Sequence, residues 1–268
     1  MKVYAVPLAQ APVKENFARS DGDGGRRCML TLGALLVDHP RGKLLVDAGL
    51  PDRPGLLDRA MGLSLTKQFR SSAYRSLPRV LREAGVAPEA ITNVILTHLH
   101  WDHTGSVDSF RRARVLVGPG ELAASRTRGV HSLGFIGARR ARRFGLAEVR
   151  MHDWDEGGAQ FPKAHDVFGD GAVMIVPTPG HTPGHVAGLL RTNPPLMYLG
   201  DASYTLAGLR AGATNGKLYG QAADQDRDRA RRTLDGIQEL EARLNLNLLP
   251  AHDTDAWQAL PAFPAPLS

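Results

Sequence analysis

Cysteine is almost absent: Cys28 is the single one in 268 residues. One thiol excludes a disulfide framework within the chain and cannot supply a four-sulfur zinc site, so any bound metal must be held mainly by nitrogen and oxygen. Long apolar runs are missing too. The start, Met1-Lys-Val-Tyr-Ala-Val6, reads as a strand rather than as the apolar stretch and cleavage site of a signal peptide, and no run approaches the length that crosses a bilayer. The expected location is therefore the cytoplasm, with no membrane partner. RNP and KH motifs are also missing. The formal charge of +6 comes mostly from arginine, densest in Ala138-Arg-Arg-Ala-Arg-Arg-Phe144, and a solvated helix face explains that cluster without a nucleic-acid partner.

What the chain does have is concentrated in Thr97-His-Leu-His-Trp-Asp-His-Thr-Gly105. Three imidazoles and a carboxylate, His98, His100, Asp102 and His103, follow the apolar run Asn93–Thr97, which has the composition and length of a buried strand. In an extended segment alternate side chains share a face, so His98 and His100 can reach one ion while Leu99 points away. Once the chain turns after Trp101, Asp102 and His103 approach the same place from another side. Neutral imidazole suits zinc and its first-row neighbours, and a carboxylate adds the charge a divalent ion needs.

Three further strand candidates end in the same kind of residue. Ala172–Pro177 runs into the turn-rich Thr178-Pro-Gly-His-Thr-Pro-Gly-His185, which carries His181; Leu196–Gly200 is followed by Asp201; Leu246–Pro250 is followed by Ala251 and His252. Each alone is ordinary, since a lone histidine after a strand is commonly a satisfied polar residue and an aspartate there a turn or helix cap. With the first cluster they make seven candidate ligands whose strand ends could converge on one edge.

The order His-x-His-x-Asp-His, then His, Asp and His, resembles the metallo-β-lactamase superfamily of dinuclear metal hydrolases over nearly the whole chain. The resemblance implies an α/β fold, a four-layer αββα sandwich, with one metal held by His98, His100 and His181 and a second by Asp102, His103 and His252. Asp201 would bridge them, together with a water or hydroxide. Two divalent ions are implied, zinc by default, with iron, manganese or cobalt suited to the same donors. Asp47, in Leu44-Leu-Val-Asp-Ala-Gly49, matches the early strand-end aspartate that supports a ligand histidine; turn chemistry before Gly49 is its other reading. Aspartate rather than cysteine at position 201 argues against the true β-lactamases that use a thiolate there.

The strings His-Leu-His-Trp-Asp-His and Asp201-Ala-Ser-Tyr-Thr205 are similar to the N-acyl homoserine lactonase, or quorum-quenching, branch. That similarity implies a lactonase opening a small-molecule lactone by attack of metal-bound hydroxide on the carbonyl. Tyr204 would then donate to the oxyanion and Asp102 would be both ligand and proton shuttle; packing over the cleft is the alternative for Tyr204. Trp101 stands where that branch is expected to have phenylalanine. A glyoxalase II-like thioesterase remains the alternative activity, a phosphodiesterase or nuclease a further one, and a non-catalytic relative a third that would usually have lost ligands.

Because the candidate ligands run from residue 98 to 252, residues 1–268 are read as one domain. Hairpins are expected from Met29–Asp38 with Lys43–Asp47 and from His185–Arg191 with Leu196–Asp201, and an amphipathic helix from Gln225 to Leu244. Residues 51–74 and 126–168 are the expected pocket walls and lid. Met61, Leu63, Phe69, Phe135, Ile136, Trp154 and Phe161 could line an acyl channel or form local core. Oligomeric state is left open, a homodimer included.

Overall fold

The computed structural model describes residues 1–52, 74–126, 135, 145–218 and 221–267. Met61, Leu63, Phe69, Ile136 and the arginine cluster of residues 138–144 lie outside the described residues.

Among the described residues two sheets of six strands face each other. The first follows chain order: β1 (Lys2–Lys14), β2 (Arg27–His39), β3 (Gly42–Val46), β4 (Ile91–Ile95), β5 (Arg114–Val117) and β6 (Leu146–Glu148). The second contains β7 (His152–Asp153), β8 (Lys163–Asp166), β9 (Val173–Pro177), β10 (Val186–Leu190), β11 (Leu196–Gly200) and β14 (Asn247–Pro250), in the order β14-β11-β10-β9-β8-β7. A ribbon of β12 (Lys217–Leu218) and β13 (Gln221–Ala222) stands apart. The helices are α1 (Glu15–Ala18), α2 (Leu77–Glu83), α3 (Trp101–Thr104), α4 (Glu121–Ala124), α5 (Leu206–Arg210), α6 (Arg227–Leu244) and α7 (Thr254–Gln258).

Alternation along the strands assigns each side chain to a layer. Leu35, Val37, Leu44, Val46 and Ile95 meet Ile175, Val186, Leu190, Tyr198 and Leu249 between the sheets. The intervening Leu36, Leu45 and Val94 pack outward against Leu77, Val80 and Leu81 of α2. On the far side Val176, Leu189, Met197 and Leu199 receive Leu234, Ile237 and Leu240 of α6, whose spacing puts all three on one face. The result is the four-layer αββα sandwich expected from the sequence. Both expected hairpins form, β2 with β3 and β10 with β11, each antiparallel. Helix α6 starts two residues later than its pattern suggests, because the Asp226 side chain caps it by accepting from the Arg229 N–H at 2.9 Å. No described helix is long and apolar enough to cross a membrane.

Two parallel pairs decide where the site forms. β3 pairs parallel with β4, and β11 pairs parallel with β14, so in each sheet two strand C-termini lie side by side. The Val186 N–H donates to the Thr97 carbonyl at 2.9 Å, and the Thr31 N–H to the His252 carbonyl at 3.1 Å, joining the sheets at this edge. Residues 145–168, expected among the pocket walls, instead supply β6, β7 and β8. Trp154 and Phe161 are buried in the core under α6, the local-core reading rather than the channel.

Candidate metal centre

The seven candidate ligands converge at that edge. His98 follows β4 at a bend and His100 lies in extended backbone just before α3; the chain then makes the single turn of α3, which swings Asp102 and His103 back beside them. His181 arrives on the loop after β9, Asp201 directly after β11 and His252 just after β14. Two groups result: His98, His100, His181 and Asp201, and Asp102, His103 and His252, each with its ligand atoms within 4.8 Å of one another.

Asp201 sits between the groups. Its Oδ2 lies 3.2 Å from His181 Nε2 and 3.5 Å from His98 Nε2; its Oδ1 lies 3.2 Å from His103 Nε2 and 3.0 Å from His252 Nε2. Asp102 Oδ2 is 3.8 Å from both His103 Nε2 and His252 Nε2, and His100 Nδ1 is 3.1 Å from His181 Nε2. Close as they are, His98 Nε2, His103 Nε2 and Asp201 Oδ1 are buried with no aligned hydrogen-bond partner. Buried polar atoms are normally paired. Three such atoms, two from the segment after β4 and one from the end of β11, buried together without bonding one another, are what a cation among them would satisfy, and a nitrogen and oxygen donor set fits divalent first-row ions.

The opposite ring nitrogens are anchored. His103 Nδ1 is 2.7 Å from Asp47 Oδ2, His98 Nδ1 3.1 Å from Thr97 Oγ1, His181 Nδ1 3.0 Å from Asp224 Oδ1, and His252 Nδ1 donates to the Thr31 carbonyl at 2.9 Å. Such partners fix tautomer and ring orientation. Asp47 therefore supports a candidate ligand, and it also accepts from the Thr97 N–H at 2.8 Å and the Tyr198 hydroxyl at 3.1 Å. His185, in the same loop as His181, does something different: its Nε2 accepts from the Asp201 N–H at 3.0 Å while Nδ1 faces Thr178, so it buttresses Asp201.

The electrostatics follow from crowding. Burial lowers His98 and His100 well below the usual histidine range, with neighbouring imidazoles adding to the effect. Burial would also discharge His181, but Asp201 and Asp224, one at each ring nitrogen, hold its pKa at about 9. Burial opposes ionisation of Asp201, yet His103, His252 and His98 keep its carboxyl well below the carboxylate range. Asp102 is raised, by burial first; His103 opposes that and Asp201 reinforces it.

Tyr204 packs edge-on to one imidazole of each group, 5.8 Å from the His181 ring and 5.1 Å from that of His252. Burial and the nearby Asp201, Asp224 and Asp102 push its phenol well above the usual range, so it stays protonated and able to donate. Phe135 lies against His100, with ring centroids 4.8 Å apart. Sequence reasoning did not single out Asp224, Asn215 or Glu121. Asn215 accepts from the Tyr204 N–H at 2.8 Å and donates Nδ2 to the Asp201 carbonyl at 2.7 Å and to Asp224 at 2.8 Å.

A family model for the metallo-β-lactamase superfamily matches residues 34–252. The N-acyl homoserine lactonase AttM of Azorhizobium caulinodans is 25% identical, over 98% of this chain and 97% of that protein. AttM of Agrobacterium fabrum is 30% identical over 96% of this chain and 95% of its own length. Among solved structures, an N-acyl homoserine lactone hydrolase with the product N-hexanoyl-L-homoserine at its catalytic metal centre superposes with a TM-score of 0.76 at 18% identity, covering 99% of this chain and 98% of that one. AidC, a dizinc quorum-quenching lactonase, superposes at 0.64 and 15% identity over 94% and 87%.

Proposed function

The chain belongs to the metallo-β-lactamase superfamily, and from that premise we propose that it is a dinuclear metal-dependent hydrolase that opens N-acyl homoserine lactones or closely related lactones. The carrying observation is the position of Tyr204, whose ring rests on His181 from one candidate metal group and His252 from the other, with Asp201 between them. Lactonases among the relatives, similar to this chain over nearly its whole length, support the substrate class.

His98, His100 and His181 would hold one ion and Asp102, His103 and His252 the other, with Asp201 reaching both. Zinc is the default for these donors. Two such ions supply a nucleophilic water at neutral pH and polarise the carbonyl oxygen. The chain's own groups do the rest. Tyr204 donates its phenolic proton in a hydrogen bond to the carbonyl oxygen as charge develops there, which is where a preorganised donor contributes most. Asp102, whose pKa is raised by burial, takes up the proton of the attacking water and delivers it to the ring oxygen as the acyl C–O bond breaks. Water adds to the carbonyl carbon and the ring oxygen leaves as the homoserine hydroxyl, so the product is a hydroxy acid. The ligands are spread over residues 98–252, which is why residues 1–268 are read as one hydrolase domain.

The test is parallel turnover of N-hexanoyl homoserine lactone, a glutathione thioester and bis(p-nitrophenyl) phosphate by metal-loaded protein. Preference for the lactone supports the proposal; turnover of the thioester or phosphodiester alone replaces it.

A further inference from the structure

Glu121 is a buried carboxylate that the proposed chemistry does not use. It begins α4, just past β5, and its side chain is fully enclosed. An enclosed carboxylate is costly unless its oxygens are bonded. Here Oε1 accepts from the Leu99 N–H at 2.8 Å, and Oε2 accepts from the Thr182 hydroxyl at 2.7 Å and the Gly184 N–H at 3.2 Å.

The two segments it ties together are those that carry three of the candidate ligands. Leu99 lies between His98 and His100, and Thr182 follows His181. One carboxylate therefore fixes the backbone between the first two imidazoles and the loop of the third, which are 83 residues apart from His98 to His181 by numbering. The approach is built for contact. A Cβ at Gly184 would sit 2.3 Å from the Glu121 backbone nitrogen, and one at Gly118 would sit 2.1 Å from the Gly184 carbonyl oxygen, so only glycine lets these turns nest. No hydrogen bond of Glu121 reaches Asp102, His103 or His252; the rings of His103 and His252 are instead anchored by Asp47 and Thr31.

We infer that Glu121 is a positioning residue that sets the metal affinity of the His98, His100 and His181 group separately from that of the Asp102, His103 and His252 group. This rests on the reading of the cluster as a two-metal centre. Where ligand spacing is held by a partner behind the ligands, its loss costs affinity by about 10–100-fold. Glu121→Ala removes all three bonds. Glu121→Gln keeps an acceptor for Leu99 but gives up a charged acceptor for Thr182 and Gly184, so its effect is smaller.

The experiment is equilibrium dialysis of wild type, Glu121→Ala, Glu121→Gln and Thr182→Val against Zn²⁺ and Co²⁺, with bound metal counted, Co²⁺ visible spectra recorded and folding checked by circular dichroism. Two tight ions in wild type and one tight plus one at least tenfold weaker ion in Glu121→Ala, with Glu121→Gln between them, is the expected result. If Glu121→Ala does not fold, the same selective weakening in Glu121→Gln and Thr182→Val carries the test. Equal weakening of both ions, or none, overturns the inference while leaving the two-metal reading intact. A wild type that binds no metal overturns both.

Discussion

Oδ2 of Asp47 lies 2.7 Å from Nδ1 of His103, joining residues 56 apart in sequence. Asp47 holds a left-handed backbone, φ 63°, at the end of β3, and that twist turns its carboxylate toward the loop after β4. Asparagine tolerates the same backbone, so Asp47→Asn removes the charge while leaving the turn. The variant should fold and bind the ion of the Asp102, His103 and His252 group about 10–100-fold less tightly, read by metal titration. Unchanged affinity would show that the ring of His103 needs no charged partner.

Tyr204→Phe should lower kcat by on the order of 10² without changing bound metal, because it deletes one donor aimed at the developing charge. Steady-state kinetics beside metal analysis decides it. Equal turnover would reduce Tyr204 to a ring packed on His181 and His252.

The pH response follows from His181. Its pKa of about 9 stands above the ordinary 6.5, so its protonated form contributes stability that is complete below about pH 6.5 and lost as pH rises through about 9. Metal needs the neutral ring, so metal and proton compete. Between pH 6.5 and 9 the thermal midpoint of chelator-treated protein should fall relative to that of metal-loaded protein. Calorimetry showing a gap that stays flat or narrows would contradict this.

Gly200, the residue before Asp201, has φ 53°, and a Cβ there would lie 2.7 Å from Thr97 Cβ and 2.9 Å from His185 Nε2. Gly200→Ala should cost roughly 1–3 kcal/mol for the backbone alone and displace Asp201 from its His185 bond. Chemical denaturation and metal counting together measure it; a stable variant with full metal content would mean the turn has room to shift.

Much of this arrangement was legible in the sequence because it is local. A ligand-type residue directly after an apolar run marks a strand end, and four such ends, one from the first sheet and three from the second, meet at one edge of the sandwich. Asp47 was also within reach, since it closes the first hairpin as Asp201 closes the second. The partners behind the ligands were not. Asp224 meets His181 over 43 residues, and Glu121 meets Thr182 over 61; a single acidic residue in a loop has no periodicity to set it apart from a cap. His185 and His181 share one Thr-Pro-Gly-His repeat, and only the fold separates the one facing the cluster from the one behind it. Trp154 and Phe161 were ambiguous for a similar reason, since an aromatic beside a loop suits a channel or a core until α6 is placed over it.

The central claim is tested most directly by following proton release at constant pH as metal-loaded protein is given N-hexanoyl homoserine lactone, with Asp102→Ala and chelated protein as controls. The account expects one proton per lactone opened, rapid in wild type, lost on chelation and strongly reduced in Asp102→Ala. Absence of ring opening by wild type carrying two metal ions would contradict it.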